Sequence, residues 1–513
     1  MYRIRGTAPV RSGTRREQPT VPPAAERPVA PSSGAARPHA SDIAARLERL
    51  PMSGYQRRIF AVIASAWLVD QIDVALLTFL LGAIVAAFGL TPTEAGQLAA
   101  MTFAGQLVGN VLAGTASDRF GRKAVFQVTM VVWGLASLAA AAAWSLPVLM
   151  ACRFLIGVGV GGEAPVAQAM VSEIVPARVR GKYIAILEGF WAVGYVLSGA
   201  ISFFVLPYLG WRWAFVVVGL LSLVVLAVRR TMPESPRWLA EAGREAEAES
   251  AMAAMERAVE RATGRPLPPV APALAAATAA VPGPRQDPHQ GPHQGRPRGP
   301  HRGAVATLFA PEYRLRTVMA FGLWFFALIG FFGLNSWIAV LLKERGFSIV
   351  GSVGFVTLIT LGGIPGFAAA AVLLERAGRK PTTALFLICA AAAAYLYGNA
   401  GAGTVLTVSG VAVTWLFVAG FVMQFFMFGM WSCLYAYTPE LYPTRARATG
   451  AGFASAFGRI GAILGPMIVP VLVRDHGPAT AFQVGAGGFL IAALLVLTLG
   501  VETRGKVLEA VSR

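Results

Sequence analysis

The sequence predicts an all-α membrane protein with twelve transmembrane helices arranged in two pseudo-symmetric six-helix halves. First, 56% of the 513 residues are hydrophobic and only 14% are charged, whereas soluble proteins carry roughly 25% charged residues. Second, many apolar stretches exceed the roughly 18 residues that cross a bilayer as a helix. Third, short motifs of the first half recur in the second. Lipid is therefore the predicted solvent for most of the chain.

The predicted spans follow these apolar stretches in chain order, and most of them contain few ionisable side chains. They are residues 59–88, 95–116, 124–143, 147–174, 183–206, 213–228, 315–342, 350–374, 382–399, 406–437, 451–473 and 479–501. The predicted halves are residues 55–239 and 313–503. Gly157, Gly159 and Gly161 lie inside the fourth span, so we expect them to pack helices and not to bind phosphate.

The connections alternate between basic and nearly uncharged loops, and this alternation predicts the orientation. Residues 119–123, 178–182, 376–380 and 445–447 are basic and lie on one side. The positive-inside rule places that side, and both termini, in the cytoplasm of a cell whose cytoplasmic membrane holds the protein. The formal charge of +18 therefore reflects topology, and no nucleic-acid partner is predicted.

Three segments outside the spans are predicted to be cytosolic. Residues 1–54 are rich in Arg, Pro, Ala and Ser and are expected to form a disordered tail. Residues 240–312 form a linker that begins as an amphipathic helix and continues as a disordered Pro-, Gly- and His-rich segment. Residues 504–513 form the second tail. The linker histidines His289, His293 and His301 could form a weak metal-binding tract, but a Pro- and Gly-rich linker without cysteine is favoured, so no metal site and no cofactor are predicted.

Internal repeats support a duplicated six-helix unit. The segment SDRFGRK at 117–123 recurs as LERAGRK at 374–380, and SEIVPARVRG at 172–181 recurs within TPELYPTRARATG at 438–450. A third motif, PESPRWL at 233–239, is echoed by VETRGKVLE at 501–509. All three echoes have nearly the same offset and lie at predicted cytoplasmic helix ends.

These motifs resemble those of the major facilitator superfamily. The loop G-x-x-x-D-R-x-G-R-K stands here at residues 114–123, the fourth span reads RFLIGVGVGGE, and PESPRWL closes the sixth span. The run YAYTPELYPTRARATGAGFASAFGRIGAILGP is similar to metabolite:proton symporters, including niacin-, aromatic-acid- and synaptic-vesicle-glycoprotein-related carriers. The resemblance implies two halves that rock about a midplane site. The seventh span lacks the Gln pair of sugar porters, which disfavours a hexose.

Charged side chains inside the spans are candidate functional residues, because each is costly unless it is paired or faces water. Asp70 and Asp73 lie on one face of the first span, and Arg153 lies in the fourth span. The resemblance implies that Asp73 binds a proton under the control of Arg153, with Asp70 as the neighbouring candidate. A static structural ion pair is the alternative.

Two further charges are candidates for the substrate site. By the resemblance, Glu188 occupies the position of a substrate-binding Gln, so it is expected to hold a second proton or a cationic substrate, or to pair with Arg178 or Arg180. Arg459 is a lone guanidinium within the eleventh span. It is predicted to bind a carboxylate through two hydrogen bonds, with structural anchoring as the alternative.

Neutral polar and aromatic residues extend both predicted sites. Asn335 and Gln424 are candidate substrate ligands, although such residues usually link helices. Trp191, Trp337, Trp431 and Tyr435 are candidates for a wall against an aromatic substrate, or packing residues. The resemblance also implies a set of gate residues whose salt bridges close the cytoplasmic side. These are Asp118, Arg122, Glu173, Arg180, Glu375, Arg379, Glu440 and Arg447.

The predicted function is proton-coupled symport of a small polar metabolite by alternating access, and an organic acid is favoured. The predicted partners are this substrate, protons and the lipid bilayer, and the predicted oligomeric state is a monomer. The alternatives are a facilitator or a proton antiporter for a sugar or cationic metabolite, and a transporter-like receptor. An enzyme is not predicted, because the sequence offers no nucleophile–base pair and no phosphate-binding loop.

Overall fold

Long helices account for nearly all of the described structure. The computed structural model describes residues 40–230, 232–270, 304–400, 404–408, 411–443 and 446–504. The helices of the first part are α1 (Ala40–Glu48), α2 (Gly54–Phe88), α3 (Pro92–Phe120), α4 (Arg122–Ala141), α5 (Leu146–Ile174), α6 (Ala177–Leu209), α7 (Trp211–Arg229), α8 (Pro236–Glu241) and α9 (Glu245–Thr263).

The second part repeats this organisation. Its elements are α10 (Ala304–Leu308), α11 (Arg314–Glu344), α12 (Ile349–Thr360), α13 (Gly363–Ala377), α14 (Arg379–Asn399), β1 (Thr404–Val408), β2 (Val411–Thr414), α15 (Trp415–Glu440), α16 (Arg447–His476) and α17 (Ala479–Leu499). Helices α12 and α13 together form the eighth span, which is interrupted at Leu361 and Gly362.

The predicted fold of twelve transmembrane helices is confirmed. Within the described residues, eleven helices are long and apolar enough to span a bilayer. The remaining span is α3, whose apolar character is diluted by Thr, Gln, Asn and Gly residues. Helix α3 nevertheless packs along α5 and α16 over its length. Two of its polar residues, Thr102 and Gln106, are accordingly buried among the helices.

The predicted tenth span began too early. The predicted span starts at Leu406, but Thr404–Val408 and Val411–Thr414 pair as an antiparallel hairpin. Helix α15 begins only at Trp415, where the Thr414 side chain accepts a hydrogen bond from the Phe417 N–H. The segment is rich in Thr and Val, whose β-branched side chains favour strands. Hydropathy alone could not separate these strands from the helix.

Close glycine contacts hold the helices of the first half together. A Cβ at Gly105 would overlap the Phe154 carbonyl oxygen, and a Cβ at Gly109 would overlap that of Val158. On the opposite helix, a Cβ at Gly157 would overlap the Thr102 carbonyl oxygen. The backbones of α3 and α5 therefore touch, as small residues permit in membranes. The prediction that the glycines of the fourth span pack helices is confirmed.

The second half repeats this contact between α11 and α16. A Cβ at Gly461 would overlap the Phe325 carbonyl oxygen, and one at Gly465 would lie 2.8 Å from the Ile329 oxygen. The halves also meet each other at the end of the bundle where α2 ends and α3 begins. There, a Cβ at Gly96 of α3 would lie 2.8 Å from the Pro466 oxygen of α16. That end of the interface is tightly packed.

The repeated motifs PESPRWL and VETRGKVLE each contain a carboxylate with the same structural role. Glu234, which follows α7, accepts hydrogen bonds from the Lys123 N–H at 3.2 and 3.3 Å. Glu502, which follows α17, accepts them from the Arg379 N–H at 2.9 Å and the Lys380 N–H at 3.0 Å. Each carboxylate thus caps the N-terminus of a helix, where the helix dipole favours negative charge. The same cap occurs once in each half.

The glycines that precede these caps are required by both backbone and space. Gly121 has φ of 99° and Gly378 has φ of 105°, which L-residues rarely adopt. A Cβ at Gly121 would lie 2.6 Å from Glu234 Oε2, and one at Gly378 would lie 2.7 Å from Glu502 Oε2. In each half, the glycine of the G-R-K sequence therefore leaves the space that the capping carboxylate occupies.

The segment before the first span differs from the expected disordered tail. Residues 40–48 form α1, and Ile43 and Leu47 are buried against Met252 and Met255 of α9. Arg46 forms ion pairs of 2.6 Å with Glu249 and 2.7 Å with Glu256. This packing joins segments about 200 residues apart, so no local pattern could have indicated it. The tail residues 1–39 and linker residues 271–303 lie outside the described structure.

We expect Gly109→Ala to destabilise the protein, because the added methyl group would overlap the backbone of α5. Overpacking of this kind costs roughly 1–3 kcal/mol. Thermal unfolding of the purified protein in detergent measures the effect. The control is Gly487→Ala in α17, where a Cβ would meet nothing within 4 Å. Equal melting temperatures for the two variants would contradict the close α3–α5 contact.

Glu502 provides a pH-dependent test of the helix cap. Burial opposes its ionisation, but backbone N–H donors, among them those of Arg504, Arg379 and Lys380, lower the pKa of its carboxyl group below the ordinary value. A lowered pKa stabilises the folded state at neutral pH, and this contribution disappears as the pH falls through the folded-state value. Glu502→Gln should therefore cost about 0.5–1 kcal/mol near pH 7.

The loss in Glu502→Gln relative to wild type should shrink as the pH is lowered below the usual glutamate range. Melting temperatures recorded across a pH series measure this difference. Glu312→Gln is the control, because Glu312 is exposed and lies outside the spans, just before α11. A pH-independent difference for Glu502→Gln would show that the carboxylate charge does not stabilise the cap.

Candidate functional site

The predicted pair of Asp73 and Arg153 is present in the structure. Arg153 Nη1 donates to Asp73 Oδ1 at 3.1 Å, and both side chains are almost fully buried. The pair joins α2 to α5, and the Arg153 guanidinium also lies 5.8 Å from the ring centre of Phe215. Asp73 Oδ2 and Arg153 Nε have no hydrogen-bond partner among the described residues. Arg153 thus keeps an unused donor, while the Asp73 carboxylate also interacts with Ser137 of α4.

Asp70 does not join this pair directly. It lies three residues before Asp73 and interacts with Glu163 of α5 and Arg229 of α7. Glu163 Oε1 accepts from Trp133 Nε1 at 3.0 Å and lies 3.9 Å from Arg229 Nη1. Neither Arg229 nor Trp133 is among the residues that the sequence predicts for a site. Their signal was weak, because Arg229 stands at the end of an apolar span and resembles an interfacial anchor.

Arg459 makes a contact that crosses between the two halves. Its Nη1 donates to Gln106 Oε1 at 2.7 Å, which joins α16 to α3. The side chain is buried, and Arg459 Nε has no partner among the described residues. The partner is neutral, so this hydrogen bond does not compensate the charge of Arg459.

Glu188 lies close to Arg459 in the same region. Electrostatic interactions link Glu188, Arg459 and Tyr435. Glu188 Oε1 accepts from Gln168 Nε2 at 2.8 Å, and its Oε2 has no partner among the described residues. The expected alternative for Glu188, a bond to Arg180, is not seen, because Arg180 Nη2 lies 2.5 Å from Glu48 Oε1. The side chain of Arg178 lies outside the described residues.

Aromatic side chains wall this region. The rings of Trp191 and Trp431 lie 4.3 Å apart with an interplanar angle of 30°. Tyr435 stacks at 5.8 Å on Trp431, and Phe331 and Phe332 complete the wall from α11. Both tryptophans are buried, so they do not face lipid. Their Nε1–H groups have no hydrogen-bond acceptor among the described residues.

A small cavity lies beside this aromatic wall and includes residues of both halves. It is bordered by Gln71 and Val74 of α2, Gln106 of α3, Val160 and Gly161 of α5, Trp191 of α6 and Arg459 of α16. The structure thus brings together four predicted substrate residues, namely Arg459, Glu188, Trp191 and Tyr435.

Asn335 and Gln424 pair with each other. Gln424 Nε2 donates to Asn335 Oδ1 at 3.0 Å, and Asn335 Nδ2 donates to the Phe331 carbonyl oxygen at 3.0 Å. The pair links α11 to α15 within the second half. Gln424 Oε1 is buried and has no partner among the described residues. These residues therefore link helices and retain one free acceptor.

The predicted gate residues form ion pairs within each half. Arg122 Nε lies 3.7 Å from Glu173 Oε1 in the first half. In the second half, Arg379 lies 3.0 Å from Glu440 and 3.1 Å from Glu375. Arg447 begins α16, Arg180 pairs with the tail helix, and the side chain of Asp118 lies outside the described residues. The expected duplication is visible in the two Arg–Glu pairs.

Comparison with known proteins identifies the family. A family profile described as Major Facilitator Superfamily matches residues 63–400 and 395–511. The niacin transporter NiaP of Acinetobacter baylyi is 35% identical over 471 residues, which are 92% of this chain and 99% of the relative. The putative niacin/nicotinamide transporter NiaP of Bacillus subtilis is 33% identical, with 88% and 98% of the two chains covered.

A solved structure shows the same fold. The xylose transporter XylE from E. coli, in a partially occluded inward open conformation, matches with a TM-score of 0.68 and 17% identity. The match covers 89% of this chain and 100% of the XylE chain. The profile, the relatives and the fold agree across both halves. The chain is therefore a multi-pass membrane transporter, not an enzyme, and belongs to the Major Facilitator Superfamily.

Proposed function

We propose that this transporter is a proton-coupled symporter of a small aromatic carboxylic acid of the niacin class. The observation that carries the proposal is a set of buried donors without acceptors in one aromatic-walled region. These donors are Arg459 Nε, Trp191 Nε1 and Trp431 Nε1. A buried donor that lacks a partner is costly. A ligand that supplies acceptors would remove that cost.

A pyridine carboxylic acid has the complementary chemistry. Its carboxylate can accept two parallel hydrogen bonds from the Arg459 guanidinium, in the geometry that arginine favours. Its ring can stack on the wall formed by Trp191 and Trp431, and its ring nitrogen can accept from an indole N–H. The names of the two relatives at 33% and 35% identity support this substrate class.

Charge balance at the site supports coupling to protons. Glu188 and Arg459 interact, so their charges compensate each other while the site is empty. A substrate carboxylate that binds Arg459 adds a second negative charge in a buried place. Uptake of a proton by Glu188 would restore neutrality. Substrate and proton would then be carried together.

The Asp73–Arg153 pair offers a second element of coupling. Protonation of Asp73 would remove the charge that holds Arg153 at 3.1 Å. Because α2 lies against α11 of the other half, release of this pair would act at the interface where the halves rock. Asp73 is accordingly the proposed proton-binding residue, and Arg153 is the residue that controls it.

The proposal also covers the orientation of the protein, its oligomeric state and its gate. The basic loops favour a cytoplasmic location of both termini in a bacterial inner membrane, with the protein acting as a monomer. The Arg122–Glu173 and Arg379–Glu440 pairs lie at the end of the bundle where α2 begins and α17 ends, and they are proposed to bias the equilibrium between the two open states.

A neutral or cationic substrate is the second candidate. The observation that favours it is the free Oε2 of Glu188, a buried acceptor within reach of the same region. An amide such as nicotinamide would donate to Glu188 and would need no charge from Arg459. The two candidates differ in which side chain determines affinity, and this difference can be measured.

We expect Arg459→Lys to weaken nicotinate binding roughly ten- to hundredfold, because lysine keeps the charge but loses the two-pronged geometry. Binding to purified protein, measured by calorimetry, tests this expectation. The matched control is Arg474→Lys, an exposed position in the same helix. Nicotinamide affinity should change little in Arg459→Lys. Equal losses for nicotinate and nicotinamide would assign Arg459 a structural role and favour the second candidate.

Asp73→Asn should abolish accumulation of nicotinate against its gradient but leave exchange of internal for external nicotinate measurable. The amide resembles the protonated acid, so the carrier is expected to cycle only when it is loaded. Proteoliposomes with an imposed pH gradient provide the measurement. Asp475→Asn, at an exposed position, is the control. Accumulation driven by the pH gradient in Asp73→Asn would refute the proposed role.

A further inference from the structure

A second group of charges is buried inside the first half, away from the aromatic wall. Asp70, Glu163 and Arg229 come from α2, α5 and α7, and each side chain is at most 2% exposed. Arg229 Nη1 lies 3.9 Å from Glu163 Oε1. The Asp70 carboxyl group lies against that of Glu163 and also interacts with Arg229. We call these three residues the inner triad.

The inner triad has an excess of negative charge. Two carboxylates face one guanidinium, so the fully ionised group carries one uncompensated negative charge. The neighbouring Asp73–Arg153 pair contains one charge of each sign and cannot compensate it. The charged groups that interact with Asp70 are Glu163, Arg229 and Asp73. An isolated negative charge in this environment is strongly unfavourable.

The hydrogen bonds of Glu163 and Asp70 indicate where a compensating positive charge can bind. Trp133 Nε1 donates to Glu163 Oε1 at 3.0 Å. Glu163 Oε2 and both oxygens of Asp70 receive no hydrogen bond from the described residues. Two carboxyl groups that touch each other without a donor between them repel when both are ionised. One proton on either group provides the missing donor and neutralises the triad.

We propose that Asp70 and Glu163 bind one proton between them and so form a second proton site in the first half. The site does not include the Asp73–Arg153 pair or the Arg459 region. It goes beyond the proposed function, because it requires no substrate and no assumption about what is carried. Arg229 and Trp133 hold Glu163 in place, and Asp70 lies one helical turn from Asp73. The shared proton is therefore stored beside the proposed coupling residue.

A metal ion is a poorer occupant than a proton. Hard cations such as Mg²⁺ and Ca²⁺ require six or more oxygen ligands. Three carboxyl oxygens are open in the triad, since Glu163 Oε1 is occupied by Trp133. The other neighbours of Arg229 are the sulfur of Met130 and the ring of Phe126. These surroundings suit a proton and offer little to a cation.

Infrared spectroscopy of the purified, substrate-free protein tests the proposal. A protonated carboxyl group has a carbonyl-stretch band that a carboxylate lacks, and this band shifts in D₂O. We expect such a band at neutral pH, where exposed carboxylates are ionised. It should disappear in Glu163→Gln and in Asp70→Asn, because each variant leaves one carboxylate opposite Arg229 and needs no proton. It should persist in Asp73→Asn.

Three outcomes would overturn the shared site. The wild type could lack the band at neutral pH, or Glu163→Gln could retain it at full intensity. Alternatively, Na⁺ added at constant pH could remove the band, which would make the triad a cation site. Asp70→Asn is a nearly isosteric second variant, so the test survives a failure of Glu163→Gln to fold. Failure of nicotinate transport would not affect any of these readings.

Discussion

The structure depends on one constraint: a charge buried in a membrane protein must be compensated nearby. The described spans hold their deepest charges in three places, and each place solves this problem differently. Asp73 and Arg153 compensate each other in a direct ion pair. Arg459 rests on the neutral amide of Gln106 and interacts with Glu188. The inner triad lacks one positive charge. These differences in charge compensation explain why proton binding is proposed for Asp73 and for the Asp70–Glu163 pair, and substrate binding for Arg459.

Much of the fold could be predicted from the sequence, because its main determinants are local. Lipid imposes a minimum length on each span, and basic loops mark the connections. The hydropathy of the segments and the charge of the loops were therefore sufficient to predict all twelve spans. The boundary error at Leu406 arose where β-branched residues were both apolar and strand-forming. The helix at Ala40–Glu48 was missed because its apolar face is complementary to a helix about 200 residues away. Such complementarity is invisible until both partners are placed.

The candidate site, like the fold, could be predicted only in part from the sequence. Spacing placed Asp70 and Asp73 on one face, and the family resemblance placed Arg153 opposite. However, only the three-dimensional packing separates their partners, since a difference of one helical turn directs Asp70 toward Glu163 and Asp73 toward Arg153. Likewise, the sequence marked Arg459 as a lone charge, but it could not show that the nearest hydrogen-bond acceptor belongs to the other half. Roles that depend on which neighbour is nearest require the structure.

The hydrogen bond between Arg459 and Gln106 has a consequence for the unloaded carrier. In the proposed symport, the carrier returns empty after it releases its substrate, and an unsatisfied buried guanidinium would hinder that return. Gln106 supplies an acceptor from the opposite half at 2.7 Å. In the proposed cycle, the Gln106 amide accepts from Arg459 Nη1 while the site is vacant, although Arg459 Nε stays without a partner among the described residues, and it yields to a substrate carboxylate, which forms the stronger bond. Under this proposal, Gln106 affects both the affinity for the substrate and the rate at which the empty carrier reorients.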